Sequence, residues 1–339
     1  MWAREQSVTN KVTIYDVAIA AGVSISTVSL ALNSPTRVTT ATREKILAAA
    51  DELGFVPKAD AVTRARRGVG RIGVVAPFSS YPSFARRLNG IFGLLADGSL
   101  EVVVFDQESA STMASPLLAS LPITQRLDGM VIMALPLDEA VAARLKRQRL
   151  PTVLIDSARE DFDCVSTDDR AGGVLAAEHL VERGHRRLGY LGEDQRSAYL
   201  SSSVQRLGGF TTAALARGAV VAADAVRLVS HGVDEACQAT HELLDLPDRP
   251  TGVFAYDDVL AAGVLKAARQ RGLTVPTDLA VVGFDDAELA DALDLTTVRQ
   301  PFEESGRAGV QLLLERMQNT AGSRRHIELK LTLVPRATT

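Results

Sequence analysis

The sequence predicts a small all-α head joined to a larger α/β body made of two doubly wound halves. Three observations lead there. Residues 11–57 hold short apolar faces separated by capping residues and glycines. From Ile72 onward, short apolar runs alternate with helical segments, the pattern of strands buried on both faces of a parallel sheet. With 339 residues the chain is also too long for one ordinary core.

The head reads as three helices. Thr13 caps the first, about Ile14–Ala21, where Val17 and Ala21 share a face with Ile14. Gly22 ends it, and a turn through Val23 reaches Ser24, the cap of a second helix running to about Leu32. Asn33, Ser34 and Pro35 form a loop. Thr39 then caps a third helix, about Thr40–Leu53, stopped by Gly54 with Pro57 just beyond. Residues 58–71 are short-chained and basic with no apolar stripe, a linker or a conditionally folded helix.

The body follows with IGVVA (72–76), EVVVF (101–105), GMVIMA (129–134), TVLID (152–156), RLGYLG (187–192), TGVFAY (251–256) and LAVVGFD (279–285) as strands. About 270 residues so arranged imply two doubly wound halves with a cleft between them.

Charge separates head from body. Residues 1–71 carry ten Lys/Arg against six Asp/Glu, a balance of +4, which leaves −8 for the rest of a chain of net −4. A basic head on an acidic body points to a polyanion partner for the head, although solvated surfaces show such asymmetries too. No apolar run nears the roughly 18 residues of a membrane span, and the N-terminal stretch has no secretory core, so the expected location is the cytoplasm, away from membranes. There Cys164 and Cys237 are expected as free thiols.

No catalytic set is expected, nor a metal or cofactor. The five histidines show no zinc-protease spacing, and His185 at a helix-to-strand corner reads as structural. Residues 68–73 match GxGxxG, but a dinucleotide site needs a strand before the glycines and a helix after them, the reverse of the order here.

Residues 16–33, DVAIAAGVSISTVSLALN, have helix–turn–helix spacing. An exposed second-helix N-terminus with small hydroxylated residues suits phosphate contacts and entry into a major groove. The alternative is a helical hairpin used for packing or dimerisation.

VTIYDVAIAAGVSISTVSLALN and RVTTATREKILAAADELGFVP closely resemble the head of the lactose-repressor (LacI/GalR) family, without gaps over about 50 residues. The resemblance implies that Ile25, Ser26 and Leu30 face base edges. It places Thr13, Tyr15, Thr27, Ser29, Asn33, Thr39 and Thr42 on the DNA backbone, where hydroxyls and amides position a protein without reading sequence. Leu30 stands where many relatives carry Arg or another polar residue; it either meets an apolar group such as a thymine methyl or packs within the head. In the hinge, the relatives' minor-groove leucine corresponds to Arg64, with Ala61 three residues earlier. Arg64 then either occupies a narrow minor groove without wedging bases apart or simply contacts phosphate.

The body resembles the same family in LDGMVIM, LPTVLID, STDDRAGGVLAAEHLVERGHRRLGYLG, Arg206–Phe210, AYDD, VPTDLAVVGFDD and LVPRATT. This implies a periplasmic-binding-protein-like fold whose two halves the chain crosses between three times, near Thr167, Arg299 and His326. The expected organisation is a head at 11–57, a hinge at 58–71 and a body at 72–339. Within the body, one subdomain takes about 72–167 and 299–326, the other about 168–298 and 327–339. Arg206 matches an effector-clamping arginine and Asp285 an acceptor carboxylate on the opposite side of the ligand, a donor fork and an acceptor suited to a polyhydroxylated molecule. Tyr256 stands beside Asp257 where relatives carry a ligand-facing Asn or Ser; Tyr81 and Phe84 form a candidate aromatic wall from the other subdomain. Each aromatic is either a ligand contact or core packing. The resemblance implies a homodimeric repressor of palindromic operator DNA, not an enzyme, governed by a small effector. A mono- or oligosaccharide is expected, although nucleobase effectors also occur in the family.

Overall fold

A computed structural model describes residues 12–33, 37–55, 70–96, 100–107, 118, 127–157, 159–194, 202–319 and 322–339. The head contains α1 (Ile14–Ala21), α2 (Ile25–Asn33) and α3 (Thr40–Leu53). Each start is capped. The Thr13 amide donates to Asp16 Oδ2 at 2.7 Å, Ser24 Oγ accepts from the Thr27 amide at 3.1 Å, and Thr39 Oγ1 accepts from the Thr42 amide at 3.3 Å. These bonds satisfy amides that a helix start leaves open. Gly22 and Gly54 close α1 and α3 in the left-handed conformation. Val17, Ala21, Val28, Ala31 and Ile46 make the common core.

The body continues with β1 (Gly70–Ala76), α4 (Ser83–Leu94), β2 (Leu100–Asp106), β3 (Gly129–Met133), α5 (Glu139–Arg147), β4 (Thr152–Ile155) and β5 (Asp163–Thr167). Next come α6 (Asp169–Glu182), β6 (Arg187–Glu193), α7 (Ser202–Ala216), β7 (Val220–Val229), α8 (Val233–Leu244), β8 (Gly252–Ala255) and α9 (Asp258–Gln270). The series closes with β9 (Ala280–Asp285), α10 (Glu288–Ala292), β10 (Thr296–Arg299), α11 (Phe302–Gln318), β11 (His326–Leu329) and β12 (Thr332–Val334).

Two six-stranded sheets form, ordered β11-β5-β4-β3-β1-β2 and β12-β10-β9-β8-β6-β7. All neighbours pair in parallel except β12 with β10. Central strands β3, β4 and β8 are buried along their whole length, which is why their sequences are continuous apolar runs rather than alternating ones. The chain moves between sheets after β5 and after β10. The third crossing, expected near His326, falls instead between Leu329 and Thr332. His326–Leu329 pair with Cys164–Thr167 and so remain on the first sheet.

In each half, two helices meet backbone to backbone through paired glycines. A Cβ on Gly90 of α4 would lie 2.0 Å from the Glu303 carbonyl of α11, and one on Gly306 would lie 2.0 Å from the Arg87 carbonyl. In the second half, a Cβ on Gly173 of α6 would lie 2.0 Å from the Arg206 carbonyl, and one on Gly209 of α7 would lie 1.9 Å from the Arg170 carbonyl. Only glycine permits such an approach.

Cys164 and Cys237 are separate buried thiols. Gly70 and Gly73 lie inside β1, so the strand begins within the GxGxxG match. Among the described residues, no single helix is long and apolar enough to cross a membrane.

Candidate functional site

The C-terminal ends of the strands from both sheets open into one cavity of about 110 Å³. Carboxyl ends of parallel strands are where a doubly wound sheet leaves a crevice. Pro77 follows β1, Ala134 follows β3 and Asp156 follows β4; Glu193, Asp285 and Gln300 stand at or just past β6, β9 and β10. Ala134, Asp156 and Asp285 all hold left-handed backbone, at φ 48°, 53° and 105°. Non-glycine residues adopt that region at a cost of order 1 kcal/mol, and such strain collects around binding sites.

Two arginines enter from opposite halves. Arg206 on α7 is buried; its Nε donates to Asp169 Oδ1 at 2.8 Å and Nη1 to the Tyr256 carbonyl at 2.6 Å. Its guanidinium lies 3.5 Å from the centroid of the Phe284 ring and 4.6 Å from that of Tyr256. Burial opposes the charge, but the nearby Asp169 and Asp285 outweigh it and raise the pKa, so Arg206 stays protonated. Arg87 on α4 is the counterpart: it pairs with Asp156 and stacks on Phe302 (4.3 Å) and Phe84 (5.1 Å). Its Nε is buried and has no hydrogen-bond partner among the described residues.

Carboxylates complete the lining: Asp156, Asp169, Glu193, Asp257 and Asp285. Burial pushes Asp285 up to about 6, assisted by Asp257 and opposed by Arg206 and by the Gln300 amide, which donates to Oδ1 at 2.6 Å. Asp285 and Arg206 both hang from the second half. Asp257 lines the cavity, yet its oxygens are already engaged. Oδ1 caps α9 by accepting from Leu260, and Oδ2 meets His231 Nε2 at 2.5 Å. Burial lowers the His231 pKa, but the bond and charge of Asp257 outweigh it and raise it.

The Tyr81 hydroxyl crosses between the halves to donate to Glu193 Oε1 at 2.5 Å, and its ring meets His231 edge-on at 5.0 Å. Phe84 lines the cavity and also belongs to the first half's core. Tyr256 lines it as well, its hydroxyl 3.1 Å from Ser202 Oγ. The structure thus brings Tyr81, Phe84, Arg206, Tyr256, Asp257 and Asp285 together. Sequence reasoning missed Arg87, Asp156, Asp169, Glu193, His231 and Gln300. For Asp156 and Gln300 a usable signal existed, since each is a polar residue placed directly after a strand. His185, read as structural, hydrogen-bonds Thr251 at 3.0 Å at the foot of the second sheet.

On the head, Tyr15 (62% exposed), Ile25 (41%) and Leu30 (38%) face outward, while Val28 between them is buried. Leu30 is therefore not a core residue of the head. Ser26 is exposed at the free end of α2; Thr27 and Ser29 are half-buried on it. The Thr13 hydroxyl donates to Asp16, and those of Thr39 and Thr42 lie 2.8 Å apart around their helix starts. Ala61, Arg64 and the side chain of Asn33 lie outside the described residues. Head and body meet where Arg144 (Nη2) and Arg147 of α5 each approach an oxygen of Asp51 in α3 at 2.7 Å.

Residues 13–58 match the pattern of bacterial regulatory proteins of the lacI family, and residues 177–339 that of a periplasmic binding protein-like domain. The HTH-type transcriptional repressor PurR of Photobacterium profundum is 30% identical over 330 residues, covering 96% of this chain and 97% of that protein. The chain belongs to the lacI family. Within the family, the HTH-type transcriptional repressor CytR of Escherichia coli is 32% identical over 312 residues, 90% of each chain. The transcriptional regulator CelR in its cellobiose complex superposes on this lacI-family chain with a TM-score of 0.70 at 28% identity, covering 97% of it and 100% of CelR. A lacI-family regulator from Enterococcus faecium with bound ribose gives 0.69 at 28% identity, over 79% and 98%.

Proposed function

We propose that this chain is a cytoplasmic, homodimeric transcriptional repressor that reads a palindromic operator and is governed by a neutral sugar. The carrying observation is the cavity: five carboxylate acceptors and two arginine donors face a small space between two hinged halves. A polyhydroxylated ligand offers donors and acceptors to both sets without adding a net charge that the acidic wall would repel.

In this reading the head (11–57) supplies Ile25, Ser26 and Leu30 to base edges. Thr13, Tyr15, Thr27, Ser29, Asn33, Thr39 and Thr42 hold the DNA backbone. The linker (58–71) lays Ala61 and Arg64 at the minor groove. The body (72–339) binds effector through Arg206, Asp285, Tyr256, Asp257, Tyr81 and Phe84, joined by Arg87. A ligand that replaces the Tyr81–Glu193 bond shifts the balance between cleft states, and reciprocity requires operator DNA to change ligand affinity by the same factor. Edge strands β2 and β7 expose Val104, Val220 and Leu228, a candidate dimer surface that aligns two heads for two half-sites.

The test is twofold. Genomic fragments retained by the purified protein should share an imperfect palindrome. A panel of neutral mono- and disaccharides should contain a member that raises the melting temperature and alters retention of that palindrome. Sequence-random retention would overturn the operator reading. Stabilisation confined to anionic or aromatic compounds would overturn the sugar.

A further inference from the structure

The first sheet carries a second cavity, of about 350 Å³, at the end opposite the central cleft, beside the N-terminal start of β4. We propose that it is a binding site for a small anion bearing an apolar group, of which an aryl phosphate is the simplest form. Leu145, Leu150, Pro151 and Phe162 make its apolar wall; Lys146, Arg149, Arg316 and Arg324 bring four cations. Asp163 holds Arg316 at 2.7 Å, and Asp161 holds Lys146 at 2.6 Å. Arg324 has only a 3.6 Å approach to the already paired Asp163, and Arg149 forms no ion pair among the described residues. Among the described residues, two positive charges thus remain uncompensated over an apolar floor.

The backbone supplies an independent observation. Arg149 follows α5 at φ 53°, in the left-handed position where a helix end favours glycine. Its amide donates to the Lys146 carbonyl and that of Leu150 to the Leu145 carbonyl, the bonds of a glycine-type helix stop. Glycine would close the helix without strain, but the chain places a guanidinium at the cavity there. Left-handed non-glycine backbone also occurs around the central cleft, at Ala134, Asp156 and Asp285, and at Asp286 and Asp294. The basic linker is excluded as occupant by like charge, since Lys58, Arg64, Arg66 and Arg67 outnumber Asp60.

The experiment is calorimetric titration of the full chain at low salt with phenyl phosphate, inorganic phosphate and phenol. Phenyl phosphate should bind once per chain, about ten-fold or more tighter than either fragment. Arg149→Gly should fold normally, because it relieves the left-handed strain, yet weaken phenyl phosphate about ten-fold; Arg324→Ala should weaken it as well. Failure of phenyl phosphate to bind overturns the proposal. So does binding that both variants retain, which would place the ligand on the central arginines. If Arg149→Gly weakens only DNA retention and flattens its salt dependence, the cations serve operator phosphates and the proposal is wrong.

Discussion

Arg206 shows how one side chain serves both fold and site. Its partner Asp169 is mostly buried, and burial raises that carboxyl's pKa even against the arginine's pull. Arg206→Met should destabilise the protein by about 3–5 kcal/mol, because a buried carboxylate loses its counter-ion; urea unfolding measures this. Asp285 yields a pH prediction. With its pKa near 6, the carboxyl loses its second acceptor as pH falls below that value. Binding of a sugar effector should therefore weaken between about pH 7.5 and 5, whereas Asp285→Asn should bind weakly at both, as calorimetry would show. In the empty protein the sign reverses. A folded carboxyl with a raised pKa favours folding at low pH and loses that contribution as pH rises from 3.8 through about 6. The melting-temperature difference between Asp285→Asn and the parent should change in that window. On the head, Leu30→Arg should shift preference at one base pair per half-site towards guanine, by about 1–3 kcal/mol, in a selection from randomised operators. At this scale the sequence exposed Arg206 and Asp285 through motif likeness. It hid Arg87 and Glu193, because a cross-half contact such as Tyr81 to Glu193 spans 112 positions and leaves no local periodicity.

At the scale of elements, the glycine-paired helices are the sharpest test. Gly173→Ala pushes a methyl into the Arg206 carbonyl, so α6 and α7 must separate; a loss of about 1–3 kcal/mol is expected, with weakened effector binding. Gly93→Ala in α4 meets open space and should stabilise by up to about 1 kcal/mol, separating the close-approach effect from helix propensity. Chemical denaturation of the pair decides. The same contrast explains which elements were legible. Caps at Thr13, Ser24 and Thr39 and stops at Gly22 and Gly54 act within one turn, so the head helices could be read residue by residue. Strands buried on both faces, such as β3, announced themselves as apolar runs. β7 did not: it is an edge strand with much of its length exposed, and its VVAADAVRLV mixes small, charged and apolar residues. β11 and β12 have three or four residues each, too few for a pattern, which is why the last crossing was displaced.

At the scale of the whole molecule, Val104→Glu with Val220→Glu should convert a dimer to monomer in sedimentation and weaken operator binding while leaving each body folded. Exposed β-edge positions tolerate charge well, and a buried interface does not. The two halves also share more than strand order. Arg87 precedes Gly90 by the same three positions that separate Arg206 from Gly209, and Glu303 precedes Gly306 as Arg170 precedes Gly173. Each arginine has its own aspartate, Asp156 or Asp169. Such matched spacing ties each arginine's reach into the cleft to the glycine contact of its own helix, so a shift at either helix seam moves a donor of the cavity.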